Sequence, residues 1–157
     1  MFRTSTTFIK AQNPAASKAM LLDFYQQELE YQRVPNITVG EDAIYFRNRP
    51  LAFGGGRFGN QYFCFTSGKI LIQDTDSEYQ VFLEGDLSRI MGLGGALAGI
   101  CGLAIVITVG FNAIAVALAL IIFLLVSVVN YLYTLFFFPV YFTDLRNEME
   151  ESIQNIS

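Results

Sequence analysis

Between Arg89 and Asp144 the chain carries no charged residue. A run of that length cannot be hidden as the core of a soluble protein of 157 residues, so an integral membrane protein with a modest polar domain ahead of the run is expected. A helix of ~20 residues rising ~1.5 Å each crosses a hydrocarbon core of ~30 Å. Residues from about 90 to 109 supply a first span, Gly110-Phe111-Asn112 interrupts it, and residues from about 113 to 139 supply a second. Backbone polar groups in lipid must be satisfied internally, and a turn so short and uncharged sits at or just inside the far interface. The two spans therefore read as a two-helix transmembrane hairpin of antiparallel neighbours over residues 90–142.

Orientation follows from the flanks. The turn lacks Lys and Arg, whereas Arg89 precedes the first span and Arg146 follows the second, which places both termini in the cytoplasm, with a cytoplasmic or inner membrane as the site. No apolar signal segment follows Met1-Phe2-Arg3, so the mature chain is expected to start there. Tyr131, Tyr133, Phe136, Phe137, Phe138, Tyr141 and Phe142 crowd the end of the second span as an aromatic belt at the cytoplasmic interface.

Small residues mark the first span as a helix-packing surface. Gly92, Gly95, Gly99 and Gly102 recur along it, and Gly95 to Gly99 has the small-xxx-small spacing that lets two backbones approach. The partner is either the chain's own second span, where Ala113 with Ala117 and Ala115 with Ala119 repeat the spacing, or another subunit. Asn130 is the one strongly polar side chain inside the second span, and reads as interhelical glue, part of a polar path, or a group near the interface.

Residues 1–89 carry regular apolar periodicity and read as a small cytoplasmic α+β domain of one helix and a four- or five-stranded antiparallel sheet. Asn13-Pro14 looks like a helix start, with a capping side chain and a proline at the first helical position, and the helix runs to about Gln32 with Leu21, Leu22, Tyr25 and Leu29 on its buried face. Period-two patterning then marks a hairpin of Ile37–Val39 and Ala43–Arg47 around Gly40-Glu41-Asp42. A second hairpin is expected from Gln61–Thr66 and Lys69–Gln73 around Ser67-Gly68, then an acidic loop over 74–77 and a last strand from Glu78 to Glu84. Thr6–Lys10 is a candidate edge strand. Residues 143–157 form an acidic cytoplasmic tail, a short C-terminal amphipathic helix with Leu145, Met149 and Ile153 at four-residue intervals. Its apolar stripe either packs back on its own domain or docks another protein.

Composition removes several functions. A net charge of −4 speaks against nucleic-acid binding, and the absence of His removes the commonest metal ligand and general base. Cys64 and Cys101 lie in different halves and read as free thiols, with no nucleophile–base pair at an informative spacing. The glycine-rich stretch Gly54–Gly59 lacks the Lys-Ser/Thr of a phosphate loop and reads as a connector. Asp74, Asp76 and Glu78 lack the glycine and terminal Glu of a calcium loop. Arg47, Arg49 and Arg57 form the one cationic group that can be imagined on lipid phosphates.

No catalytic set, metal site or cofactor is therefore expected. The reading is a small non-catalytic membrane protein that serves as a subunit or adaptor of a complex. Its partners are the bilayer and either another membrane or cytoplasmic protein or a second copy. Two alternatives remain: a homo-oligomeric channel built on the Gly95/Gly99 face and lined by Asn130, Ser127 and Thr108, and a surface sensor of anionic lipid.

Overall fold

The computed structural model describes residues 1–12, 15–48, 61–110 and 113–154. In chain order the elements are β1 (Phe2–Ile9), α1 (Lys18–Tyr31), β2 (Ile37–Val39), β3 (Ala43–Arg47), a single 3-10 turn (Gln61–Cys64), β4 (Ser67–Asp74), β5 (Glu78–Asp86), α2 (Ser88–Val109) and α3 (Ala113–Gln154). The strands make one antiparallel sheet in the order β1-β5-β4-β3-β2. The fold is α+β, a five-stranded sheet followed by two long apolar helices.

Alternation decides which sheet face is buried. Phe2 and Phe8, Tyr79, Val81 and Leu83, Ile70 and Ile72, and Ile44 and Phe46 point to one side and form its core. The outward row runs Arg3, Glu84, Lys69, Tyr45 across β1, β5, β4 and β3. In the β4–β5 register Gly68 stands opposite Gly85, and both positions have to be glycine. A Cβ on Gly68 would lie 2.7 Å from the Glu84 carbonyl and 2.5 Å from the Phe46 ring, and one on Gly85 would run into the Phe65 ring. The bare backbone there makes room for aromatic rings to lie flat on the end of the sheet.

Two sequence expectations are corrected. Helix α1 begins at Lys18, where the Ser17 hydroxyl accepts the Met20 N–H at 3.2 Å, while Asn13 and Pro14 lie outside the described residues. Ser17 is as good a capping residue as Asn, and its position puts Leu21, Tyr25 and Leu29 on the buried face. The stretch 61–66 is no strand. Asn48 pins it as a turn by donating through its side-chain amide to the carbonyls of Tyr62 (2.8 Å) and Phe65 (3.0 Å), and the turn buries Tyr62, Cys64 and Phe65 together, which period-two geometry cannot do. Ser67-Gly68 opens β4 instead of linking two strands, and β4 pairs with β3 and β5.

The largest difference concerns the C-terminus. The segment expected as a separate short helix continues α3, a single helix from Ala113 to Gln154 about 63 Å long at ~1.5 Å per residue. Pro139 lies inside it and removes one backbone donor without ending it. Burial on both sides holds the helix there. Thr134, Phe138, Phe142, Leu145, Met149 and Ile153 form one buried stripe at three- and four-residue spacing, and from Phe138 onward these side chains belong to the same core as the sheet and α1. Phe138 packs edge-on against Phe65 with ring centroids 4.7 Å apart and also meets Phe2 and Tyr62, while Phe142 stacks on Tyr25 at 5.4 Å. The aromatic crowd read as an interfacial belt is thus divided: Phe138 and Phe142 are core, and Tyr131, Tyr133 and Phe136 stay exposed.

Because Phe138 is 1% exposed and ties α3 to the sheet, Phe138→Ala should cost about 3–5 kcal/mol. Phe136→Ala, two residues away at 70% exposure, should leave the unfolding transition of the polar domain in detergent within about 0.5 kcal/mol. Equal effects of the two substitutions would refute the packing.

Candidate functional site

Polar or recessed surface gathers at several places on the described molecule. The first is the seam between α2 and α3. A Cβ on Gly94 would clash with Ser127 Oγ, and one on Gly102 would sit 3.1 Å from Ala119 Cβ, so the helices run antiparallel in direct contact. Ala98 and Ala115 are buried beside them. The face that touches α3 is therefore Gly94, Ala98 and Gly102, at four-residue spacing. Of the expected packing glycines only Gly102 belongs to it. A Cβ on Gly95 would come no closer than 3.9 Å to Phe123, and one on Gly92 or Gly99 would meet nothing within 4 Å. Gly95 and Gly99 instead border an open apolar groove of about 390 Å³ along the seam.

Three polar side chains of the two apolar helices bond to carbonyls of their own helix. Asn130 donates its amide to the Val126 carbonyl at 2.8 Å, Thr134 its hydroxyl to the Asn130 carbonyl at 2.9 Å, and Thr108 its hydroxyl to the Ala104 carbonyl at 3.0 Å. Ser127 is buried in the seam against Gly94. The side chains that would line a pore are thus turned to their own helices or shut between them.

The second place is a polar clamp where α1, the 3-10 turn and α3 meet. The Tyr141 hydroxyl donates to Glu28 Oε1, the Gln32 amide donates to the same oxygen at 2.8 Å, and Gln32 Oε1 accepts the Gln61 N–H at 3.0 Å. Sequence reading missed this group, although Glu28 and Gln32 stand four apart on one helix face. Leu145, Met149 and Ile153, read either as packing back on their own domain or as docking a partner, are covered by the chain's own core.

The third is the outer sheet face. Glu84 is paired with Lys69 at 3.0 Å and Arg3 at 3.4 Å, and Arg3 lies over the Phe82 ring. Arg47 is exposed at the end of β3, in register with Ser67 and through it with Asp86, at the end of the sheet from which α2 departs. Arg49, Arg57 and the Gly54–Gly59 stretch lie outside the described residues.

Burial works against catalysis at the titratable groups of the core. Desolvation raises the Tyr25 and Tyr62 hydroxyls well above the usual phenol range and pushes the Cys64 thiol up to about 12, the opposite of what activates a nucleophile. Among the described residues no group of three or more His, Cys, Asp or Glu side chains is placed to hold a metal. In the acidic loop the Lys10 ammonium bonds Asp74 and the Thr75 carbonyl, and this partnership raises its own pKa.

Comparison with known protein families, with curated proteins and with solved structures finds no match.

Two measurements follow from this geometry. Gly94→Leu should break the α2–α3 contact and lower thermal stability in detergent, whereas Gly99→Leu, facing open space, should leave the unfolding midpoint of the chain unchanged; the reverse order would contradict the seam. Cys64, buried and with a raised pKa, should resist iodoacetamide at pH 8 in the folded protein and react once the polar domain unfolds. Because the thiol's folded pKa lies above its unfolded value, its contribution to stability is complete below about pH 8 and declines as pH rises beyond that.

Proposed function

We propose that the protein is a non-catalytic integral membrane subunit or adaptor, which holds a small α+β domain in a set orientation against the cytoplasmic face of a bilayer. In this reading α2 and the first half of α3 form the transmembrane hairpin and both termini are cytoplasmic. The observation that carries it is the composition of α3. Its N-terminal half presents uncovered apolar side chains, and its C-terminal half is the core helix of the polar domain.

Exposure supports a lipid environment for the apolar half. Both helices are long and apolar enough to cross a membrane, and Ile100, Leu103, Ile107 and Ile114 stand out from them at 63% to 76% exposure. A helix that serves as the core of a soluble protein has such side chains covered. The cost of leaving them in water, about 1.5–3 kcal/mol each, is removed by hydrocarbon.

An anchor of this form transmits position. The domain cannot swivel on a flexible linker, because one helix is shared between membrane and core. With the stripe of Leu145, Met149 and Ile153 occupied internally, the surfaces left for a partner are the charged outer sheet face and the α2 face bearing Gly92 and Gly99.

The test has two stages. Alkaline carbonate washing of native membranes should leave the chain in the pellet; release into the wash would overturn the membrane reading. Gentle extraction and native mass measurement should then give an assembly heavier than the 17.6 kDa chain, with a foreign subunit in constant ratio. A lone monomer or a closed ring of identical chains would refute the adaptor reading.

A further inference from the structure

At the junction of sheet and helices a recess of about 410 Å³ opens between the start of α2 and the middle of α3. Its chemistry changes along its length. Asp86, Ser88 and Tyr131 lie at the end nearest the sheet. Met91 and Val128 follow, and Phe123 and Leu124 close the far end. The antiparallel seam sets this order, because Gly94 faces Ser127 and Gly102 faces Ala119, which brings Tyr131 level with the first turn of α2. From Tyr131 to Leu124, α3 covers about 10 Å along its axis.

We infer that this recess receives the headgroup and part of one acyl chain of a phospholipid with a primary amine in its headgroup, of the phosphatidylethanolamine class. The acyl chain lies along Val128, Leu124 and Phe123, and the ammonium sits on Asp86. The inference rests on the membrane reading of α2 and α3. In that setting the recess straddles the level where headgroups give way to hydrocarbon, and its polar-to-apolar gradient runs in the same sense as a lipid.

Charge selects the headgroup. Asp86 is the one charged side chain among the described residues that line the recess; Met1, which carries the α-ammonium, lines it too but is 93% exposed to solvent. Its two oxygens accept the Ser88 backbone N–H and the Ser88 hydroxyl, both at 2.9 Å, and a carboxylate has lone pairs to spare beyond these two bonds. An anionic headgroup is repelled by Asp86. A choline headgroup brings positive charge but no N–H to donate, whereas a primary ammonium makes a charge-assisted hydrogen bond. The recess therefore differs in sign from the arginine group that sequence alone offered for anionic lipid.

The test is lipid retention by the full-length protein in mixed micelles containing equal amounts of phosphatidylethanolamine, phosphatidylcholine and phosphatidylglycerol, read by native mass spectrometry. One phosphatidylethanolamine per chain should be retained, about fivefold or more above either competitor, the scale of one partly exposed charge-assisted hydrogen bond. Asp86→Asn keeps an oxygen for the Ser88 N–H and removes the charge, so it should abolish the preference while the chain stays folded. Leu124→Trp should fill the apolar end and reduce retention of all three lipids, whereas Leu125→Trp, similarly exposed but outside the recess, should not. Equal retention of the three lipids by the unaltered chain, or an unchanged preference in Asp86→Asn, would overturn the inference and leave the membrane reading standing. Release of the chain by carbonate would remove both.

Discussion

The contact between the C-terminal half of α3 and the sheet is the interaction on which the rest depends. Without Phe138, Phe142, Leu145, Met149 and Ile153, the inner sheet face and the buried side of α1 would have too little apolar surface to cover them. Residues ahead of the apolar run number fewer than ninety, a size at which a single sheet and helix are marginal. The chain solves this with the end of its last helix, returning it to a core that its first residues began. Gly68 and Gly85 permit that return, since only a bare backbone lets Phe46 and Phe65 lie close enough to receive Phe138.

One consequence is mechanical. A helix whose second half lies in a packed core carries its uncovered apolar first half with it, and it continues through Pro139 without a break. The clamp of Tyr141, Glu28, Gln32 and Gln61 adds polar fastening at the same level. The seam of Gly94, Ala98 and Gly102 secures α2 to the apolar half of α3. The recess lined by Asp86 and Phe123 lies between the start of α2 and the middle of α3.

Much of this was legible from spacing. The apolar helices, the β2–β3 hairpin, the acidic turn and the last strand follow from period and turn chemistry, and the edge strand β1 was visible in part. Strand order was not, because β1 reaches β5 through contacts that no local pattern encodes. The stretch 61–66 misled because alternating apolar residues satisfy a strand template equally well when a single amide, that of Asn48, gathers them into a turn. The glycines of α2 signalled a close helix contact, but their spacing allowed two adjacent faces, and the one facing α3 includes Gly94 and excludes Gly92 and Gly99. The four-residue rhythm of Leu145, Met149 and Ile153 was plain. Its continuity with the span was hidden by Pro139 and the first charges after it.

The most direct test of the account is a distance along α3. Spin labels at Val116 and Asn147, both exposed, with Cys64 and Cys101 replaced by Ala, should give a single narrow distribution near 45 Å in a bilayer mimic, as one helix rising ~1.5 Å per residue requires. A broad distribution, or one centred well below that value, would mean that the apolar half and the core half of α3 move independently, and the central claim would fail.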